Sequence, residues 1–387
     1  MGARSPLTEL DAADRAACTR ILAHSFGRPE ATYGARFWRA VGRDLTVLRA
    51  EREVAALAVV RERAAAFAGR FVQAACVGSV CVDPRLRARG HGSALLVEIL
   101  RSACARGIGV ALLTTENERL YQNHGFVRGG ARFECELELP RNVFPSGSPA
   151  VRVMQRADES DVARLARDCA QRGHGFVLHS RADRRRRSAA PRRAYVLEQD
   201  GAVTGFLVCS QRVARGRMTL FVHEFLAREA HAARDLWAFV ARHGAQVRSV
   251  RLRADPADPQ LEWALEHDAR FVARGPWLAR LAAVRTALEQ RGYARAFRGT
   301  LAFALSDPLL PDNERPFTLS IAQGRGRTKA VDAGSVRCDV ASLTRLFVGA
   351  AGARRLYAEG KIAGPEADLA TLDAAFATGA CSLPYLP

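Results

Sequence analysis

The sequence predicts a mixed α/β (α+β) chain built as three consecutive units. Three observations carry that reading. Residues 77–84 are strand-like, Arg87-Ala88-Arg89-Gly90-His91-Gly92 is a glycine-bearing turn, and residues 93–100 have helical apolar spacing. The order of elements in residues 8–139 restarts after a Pro/Ser/Gly-rich stretch at 140–149. A last stretch places strand patterns before helical ones. The expected boundaries are 1–145, 146–294 and 295–387.

In the first unit, Leu10, Ala13, Ala17, Ile21 and Leu22 share a helical face over residues 8–26, with Thr8 expected as N-cap. Strand patterns follow at 45–50, 54–60 and 71–82, the last expected to divide near Cys76. A helix over 88–105, a strand near 108–114, a short helix around Tyr121 and a strand at 132–139 complete the unit. In the second, residues 156–166 echo the opening helix. Strands at 193–198, 203–209 and 218–224, a helix at 232–243 and a strand at 250–253 follow. Its counterpart of the glycine turn, residues 226–231, contains no glycine, so this copy should not bind a phosphate there. A strand and helix at 275–293 lead into the third unit. Its strands lie at 299–305 and 317–322, and its helices at 340–348 and 366–376.

The turn at Gly90 is the strongest chemical signal. A strand, a glycine turn and a helix N-terminus direct free N–H groups and the helix dipole at an anion. No Lys-Ser or Lys-Thr follows the glycines, which excludes a Walker loop, and the three-glycine dinucleotide pattern is absent.

Composition excludes several classes. The 387 residues carry a net charge of +18, yet lysine occurs only at Lys329 and Lys361. The densest basic run, 181–193, has no interleaved aromatic residue and reads as a solvated loop rather than a nucleic-acid stripe. Nucleic acid is not expected as a partner. No apolar run reaches membrane-spanning length, so a cytoplasmic protein with no membrane partner is expected. Nine cysteines form no Cys-x-x-Cys pair and the histidines have no ligand spacing, so no metal is expected. A covalent route through Cys76 or Cys81 is disfavoured, since neither has a His–carboxylate pair nearby in sequence.

Arg87-x-x-Gly90-x-Gly92 resembles the acyl-CoA pyrophosphate loop of the GNAT superfamily of N-acetyltransferases. Tyr121-x-x-x-Gly125-Phe126, after the strand at 108–114, resembles the second signature of that superfamily. The order of three units is similar to the enhanced-intracellular-survival (Eis) family, which has two tandem GNAT domains and a C-terminal domain like sterol carrier protein. Residues 236–243, 277–293 and 307–376 carry that likeness.

The resemblance implies a bacterial, acetyl-CoA-dependent N-acetyltransferase acting on a primary amine, aminoglycoside-like or a lysine side chain, through a ternary complex. It implies that Val80, Cys81 and Val82 face the pantetheine arm. It implies that Arg87, Ala88, Arg89, Gly90, His91, Gly92 and Ser93 hold the pyrophosphate, with Glu116 and Asn117 beside the coenzyme. Tyr121 would be the general acid, and the terminal carboxylate, here that of Pro387, the general base. The family's pattern ends in an aromatic residue, where this chain has proline. The acceptor side is expected near Phe26, Phe37, Trp38 and the C-terminal tail, with Glu30, Asp44 or the tail carboxylate as its acidic group. The likeness further implies a homo-oligomer (a hexamer). The alternative is a degenerate GNAT-fold scaffold that binds acyl-CoA or a lipid-like ligand.

Overall fold

The computed structural model describes residues 4–5, 10–139, 150–214, 216–378 and 381. By contact density the chain forms two compact units. One comprises Met1–Ala64, Val72–Gly129 and Leu278–Ala377, and the other Ala65–Phe71, Gly130–Trp277 and Thr378–Pro387.

In the first unit, a short strand β1 (Arg4–Ser5) precedes α1 (Ala12–Phe26) and α2 (Ala35–Val41). Asp11 is the N-cap of α1: its carboxylate accepts from Asp14 N at 2.8 Å. The expected cap, Thr8, lies outside the described residues. Strands β2 (Leu45–Ala50), β3 (Glu53–Phe67) and β4 (Arg70–Val82) follow, then α3 (His91–Ala105), β5 (Val110–Thr114) and α4 (Glu118–Gln122). The sheet order is β1-β2-β3-β4-β5.

β4 does not divide near Cys76. It is one strand with a kink at Ser79, whose φ is +51°. It pairs with β5 in parallel from Ala74↔Val110 to Val77↔Leu113, and the register stops there. The 78–82 end of β4 therefore runs on without β5 beside it. The apolar face of α3 explains the packing: Leu95, Leu96, Ile99 and Leu100 are buried with Ala75, Val77, Ala111 and Leu113 of β4 and β5.

β6 (Val127–Glu138) carries the chain into the second unit. There β7 (Val151–Val153), α5 (Glu159–Arg172), α6 (Arg181–Ser188), β8 (Arg193–Gln199), β9 (Ala202–Ala214), β10 (Arg217–Ala227), α7 (Ala230–Ala241), β11 (Ser249–Arg253) and α8 (Glu262–Glu266) follow. The order β6-β11-β10-β9-β8-β7 repeats the first design. β10 pairs with β11 in parallel from Thr219↔Ser249 to Val222↔Leu252, and a bulge between Val222 and Glu224 follows.

The arginine run at 181–193 is not a loop over its first half. α6 opens with a capping box, in which Ser180 Oγ accepts from Asp183 N at 3.1 Å and Asp183 accepts from Ser180 N at 3.0 Å. That reciprocal pair nucleates a helix the charge pattern conceals.

β12 (Arg270–Leu281) returns to the first unit, followed by α9 (Val284–Gln290). A five-stranded sheet comes next, of β13 (Gly299–Ser306), β14 (Phe317–Ala322), β15 (Arg325–Ala330), β16 (Val336–Asp339) and β17 (Ile362–Ala363), in the order β15-β14-β13-β16-β17. The helices α10 (Val340–Phe347), α11 (Ala353–Ala358) and α12 (Glu366–Phe376) accompany it.

Candidate functional site

A side-chain cap at Asp83 and two left-handed residues shape the turn between β4 and α3. Asp83 accepts from Arg85 N at 2.9 Å and pairs with the Arg85 guanidinium at 2.9 Å, which holds the Asp83 carboxyl below its usual range. Ala88 and Gly90 both take left-handed conformations, with φ of +59° and +82°. α3 then begins with no side chain capping its first turn. Its leading N–H groups are left for an external acceptor.

Arg85 is spent on Asp83 and Glu53. Arg87 and Arg89 are exposed and make no ion pair among the described residues. Gly90 has nothing within 4 Å of the position a Cβ would take, so only its φ demands glycine. A Cβ on Gly92 would touch Val82 Cγ2 at 3.5 Å and Leu120 Cδ2 at 3.8 Å. The turn, the end of β4 and α4 thus meet at Gly92.

Tyr121 sits on α4, buried, with its ring edge-on to Phe126 at 5.8 Å. The loop that ends α4 is closed by Gly125 in the left-handed region, φ +78°, and both His124 N and Phe126 N bond the Tyr121 carbonyl. This is the physical content of Tyr-x-x-x-Gly-Phe. Burial pushes the Tyr121 phenol up to about 12, against a hydrogen bond with Thr115 that lowers it. Thr115 carries no signal in sequence, but it also accepts from Asn117 N at 2.9 Å and so shapes the loop before α4.

Cys81 is close enough to Tyr121 to raise it and close enough to Arg87 to be lowered by it. Burial dominates at Cys81 and pushes its thiol up to about 12. A thiol held protonated in this way is a poor nucleophile, which argues against an acyl-cysteine. Behind Cys81 lie Tyr33, Phe37 and Trp38 in one apolar cluster, Phe37 edge-on to both neighbours at 4.9 and 5.1 Å.

The structure therefore gathers Val80, Cys81, Val82, residues 87–93 and Tyr121 at one place. Glu116 and Asn117 are exposed on the approach to α4. Phe26 is 46% exposed, and Asp44 pairs with Arg61 at 3.3 Å. Pro387 lies outside the described residues. No group of His, Cys, Asp or Glu that could hold a metal occurs among the described residues. Among those residues, no helix is long and apolar enough to cross a membrane.

The equivalent turn in the second unit is built differently. α7 also begins without a side-chain cap, but no glycine stands just before it and a carboxylate residue, Glu229, is at its N-cap. An anion there would meet a like charge.

Residues 7–129 and residues 169–281 each match a model of the acetyltransferase (GNAT) domain, and residues 284–387 match the sterol carrier protein domain. The chain carries two GNAT domains. With them it is a transferase, and the sterol carrier protein domain completes the three-part fold the sequence predicts.

Solved structures share this architecture over almost the full length of the GNAT pair and its companion domain. The GCN5-related N-acetyltransferase from Anabaena variabilis ATCC 29413 has a TM-score of 0.88 at 21% identity over 99% of each chain. That from Kribbella flavida scores 0.87 at 23%, over 99% of this chain and 98% of its own. Eis1 from Mycobacterium abscessus scores 0.73 at 19%, over 99% and 98%. At these identities the likeness establishes the fold. Comparison with curated protein sequences finds no match.

Proposed function

We propose that the first GNAT domain transfers an acetyl group from acetyl-CoA to a primary amine of a small molecule or a lysine side chain, as an Eis-like enzyme would. The observation that carries this reading is the uncapped first turn of α3 at left-handed Gly90, a few residues' reach from buried Tyr121. The first-turn N–H groups of His91, Gly92 and Ser93, with Arg87 and Arg89, hold the pyrophosphate. Main-chain groups of Val80, Cys81 and Val82, left free of β5, run beside the pantetheine arm. Glu116 and Asn117 border it.

In this mechanism the neutral amine attacks the thioester carbon. The C–N bond forms, the C–S bond breaks, and the electron pair leaves with sulfur. Tyr121 supplies the hydrogen bond that meets the developing thiolate. A phenol near 12 stays protonated, so it is always ready to donate. Full transfer to a thiolate of ordinary pKa near ~8.5 is uphill, so its main work is to stabilise charge on sulfur. The proton lost by the amine goes to a base, for which the Pro387 carboxylate is the candidate. A carboxylate of ordinary pKa roughly 3.3–3.7 needs burial to serve. The acceptor enters from the Tyr33–Phe37–Trp38 side.

The test is acetyl-CoA titration by calorimetry together with thiol release on an amine panel. Binding by the native chain and its loss in the Gly90→Asp, Gly92→Asp double variant is the expected result. A native chain that neither binds acetyl-CoA nor releases thiol overturns the proposal. A short C-terminal extension that leaves turnover undiminished removes Pro387 as base while leaving the rest intact.

A further inference from the structure

The second GNAT domain, which lacks a phosphate turn, contains a cavity of about 710 Å³ beneath α6 and beside β7 and β8. Its walls carry six arginines, Arg156, Arg181, Arg184, Arg185, Arg192 and Arg193, and one carboxylate, Glu159. Arg181 and Arg185 share that carboxylate, Arg185 at 2.7 Å. The remaining four make no ion pair among the described residues. Arg184 is half-buried and donates only to the His179 carbonyl at 2.7 Å, and Arg192 donates to the Arg187 carbonyl at 3.2 Å. Arg156 and Arg193 are exposed at the rim.

The nearby acids do not balance this charge. Asp183 is held by Ser180 and by Arg186 at 2.6 Å. Glu224 is fully buried, and its burial pushes the carboxyl up toward its neutral form. Burial likewise lowers Arg184 and Arg192, and Arg187, Arg212 and Arg253 crowd Arg192 further. His223, the bulged residue of β10, feels the same four arginines and is held neutral, its ring nitrogen 2.8 Å from Ser210 Oγ. Glu224, Asp183 and Glu159 oppose the shift at Arg184, whereas only cations crowd Arg192, and desolvated cations short of counter-charge are costly. The fold keeps them side by side around a cavity of ligand size.

We propose that this cavity binds a phosphorylated small molecule of nucleotide size, carrying at least two negative charges on an apolar or aromatic body. Planar guanidinium forks match phosphate oxygens two at a time. A single carboxylate would leave most of the excess charge unanswered. Met154, Pro191 and Ala194 line the same cavity and give the body an apolar surface. The site stands in the second domain and does not depend on the acetyl-CoA reading of the first.

Calorimetry on the full chain with AMP, ADP and inorganic pyrophosphate tests it, in 0.15 M salt and with acetyl-CoA present to occupy any coenzyme site. ADP is expected to bind more tightly than AMP and more tightly than pyrophosphate. The rim variant Arg156→Gln/Arg193→Gln, which touches no buried contact, should weaken ADP at least tenfold, and Arg184→Met should do the same with the fold checked by thermal melting. Gly90→Asp should leave this binding unchanged. Absence of ADP binding, indifference to the arginine variants, or loss on Gly90→Asp overturns the proposal. Pyrophosphate binding as tightly as ADP overturns the apolar-body part of it.

Discussion

Arg280 Nη2 and Asp307 Oδ1 lie 2.6 Å apart, with each side chain 1% exposed. The same guanidinium donates from Nε to the His124 carbonyl at 2.6 Å, and Asp307 also accepts from Asn313 Nδ2 at 2.8 Å. A buried ion pair between β12 and the turn after β13 thus grips the loop that closes behind Tyr121. Removing one partner strands the other charge. Arg280→Met should cost about 3–5 kcal/mol of stability, read from denaturant melts. Asp307→Leu placed on that background should recover part of the loss. If the single variant melts like the native chain, the pair is idle.

Gly125 and Gly90 separate backbone need from space. A Cβ on Gly125 would come within 3.1 Å of Arg280 Nε, and its φ is left-handed as well. Gly90 has the φ without the crowding. Gly90→Ala should therefore cost only about 1 kcal/mol and keep acetyl-CoA binding within a few-fold. Gly125→Ala should lower both stability and turnover more. Equal melting shifts for the two would contradict the contact with Arg280.

Tyr121→Phe should reduce turnover about 100-fold with a smaller change in KM, the pattern of a group that acts on the departing sulfur. The native pH–rate profile should show no fall from phenol ionisation up to about pH 10, because the folded pKa is near 12. A native profile that falls between pH 8 and 9, and loses that fall in Tyr121→Phe, would place the ionisation lower than the burial of this ring allows.

His223 should make the second domain acid-sensitive. Burial, then the arginines around it, moves its pKa from 6.5 to about 4. Below 6.5 the unfolded chain takes a proton that the folded chain refuses, so stability falls as pH drops from 6.5 toward 4. The side chain is only partly buried, and solvent screening reduces the effect to about 1 kcal/mol at pH 5. His223→Gln should lose less thermal stability than the native chain between pH 7 and pH 5. Parallel losses would assign the acid sensitivity to carboxylates instead.

The candidate site was legible where function is written locally. The turn at 87–92 and the motif from Tyr121 to Phe126 each fit within a few residues, and both fall where the spacing puts them. What stayed hidden depends on register or on distant partners. Ser79 looks like any strand residue until its φ is known, and His223 is special only because β10 bulges there. Arg280 sits in an apolar strand with no sign that Asp307, twenty-seven positions on, will neutralise it. The arginine helix α6 is hidden for a local reason: its charge density has the look of a solvated loop, and only the Ser180–Asp183 box marks its start. The first-helix cap shifted to Asp11 because its carboxylate, three residues before Asp14, meets the helix N–H directly.

The first compact unit takes its residues from both ends of the chain, with Leu278, Ala282 and Leu310 in one core with Tyr121 and Phe126. On the ribosome this makes the N-terminal half wait. Residues up to Gly129 emerge early, yet their core cannot close until Leu278, Ala282 and Leu310 follow. At about 5–20 residues per second that interval is roughly 10–40 s. During it the apolar faces of β4, β5 and α3 are made but unfinished. The domain that would do the chemistry thus waits for core residues made well over a hundred positions after its own last motif.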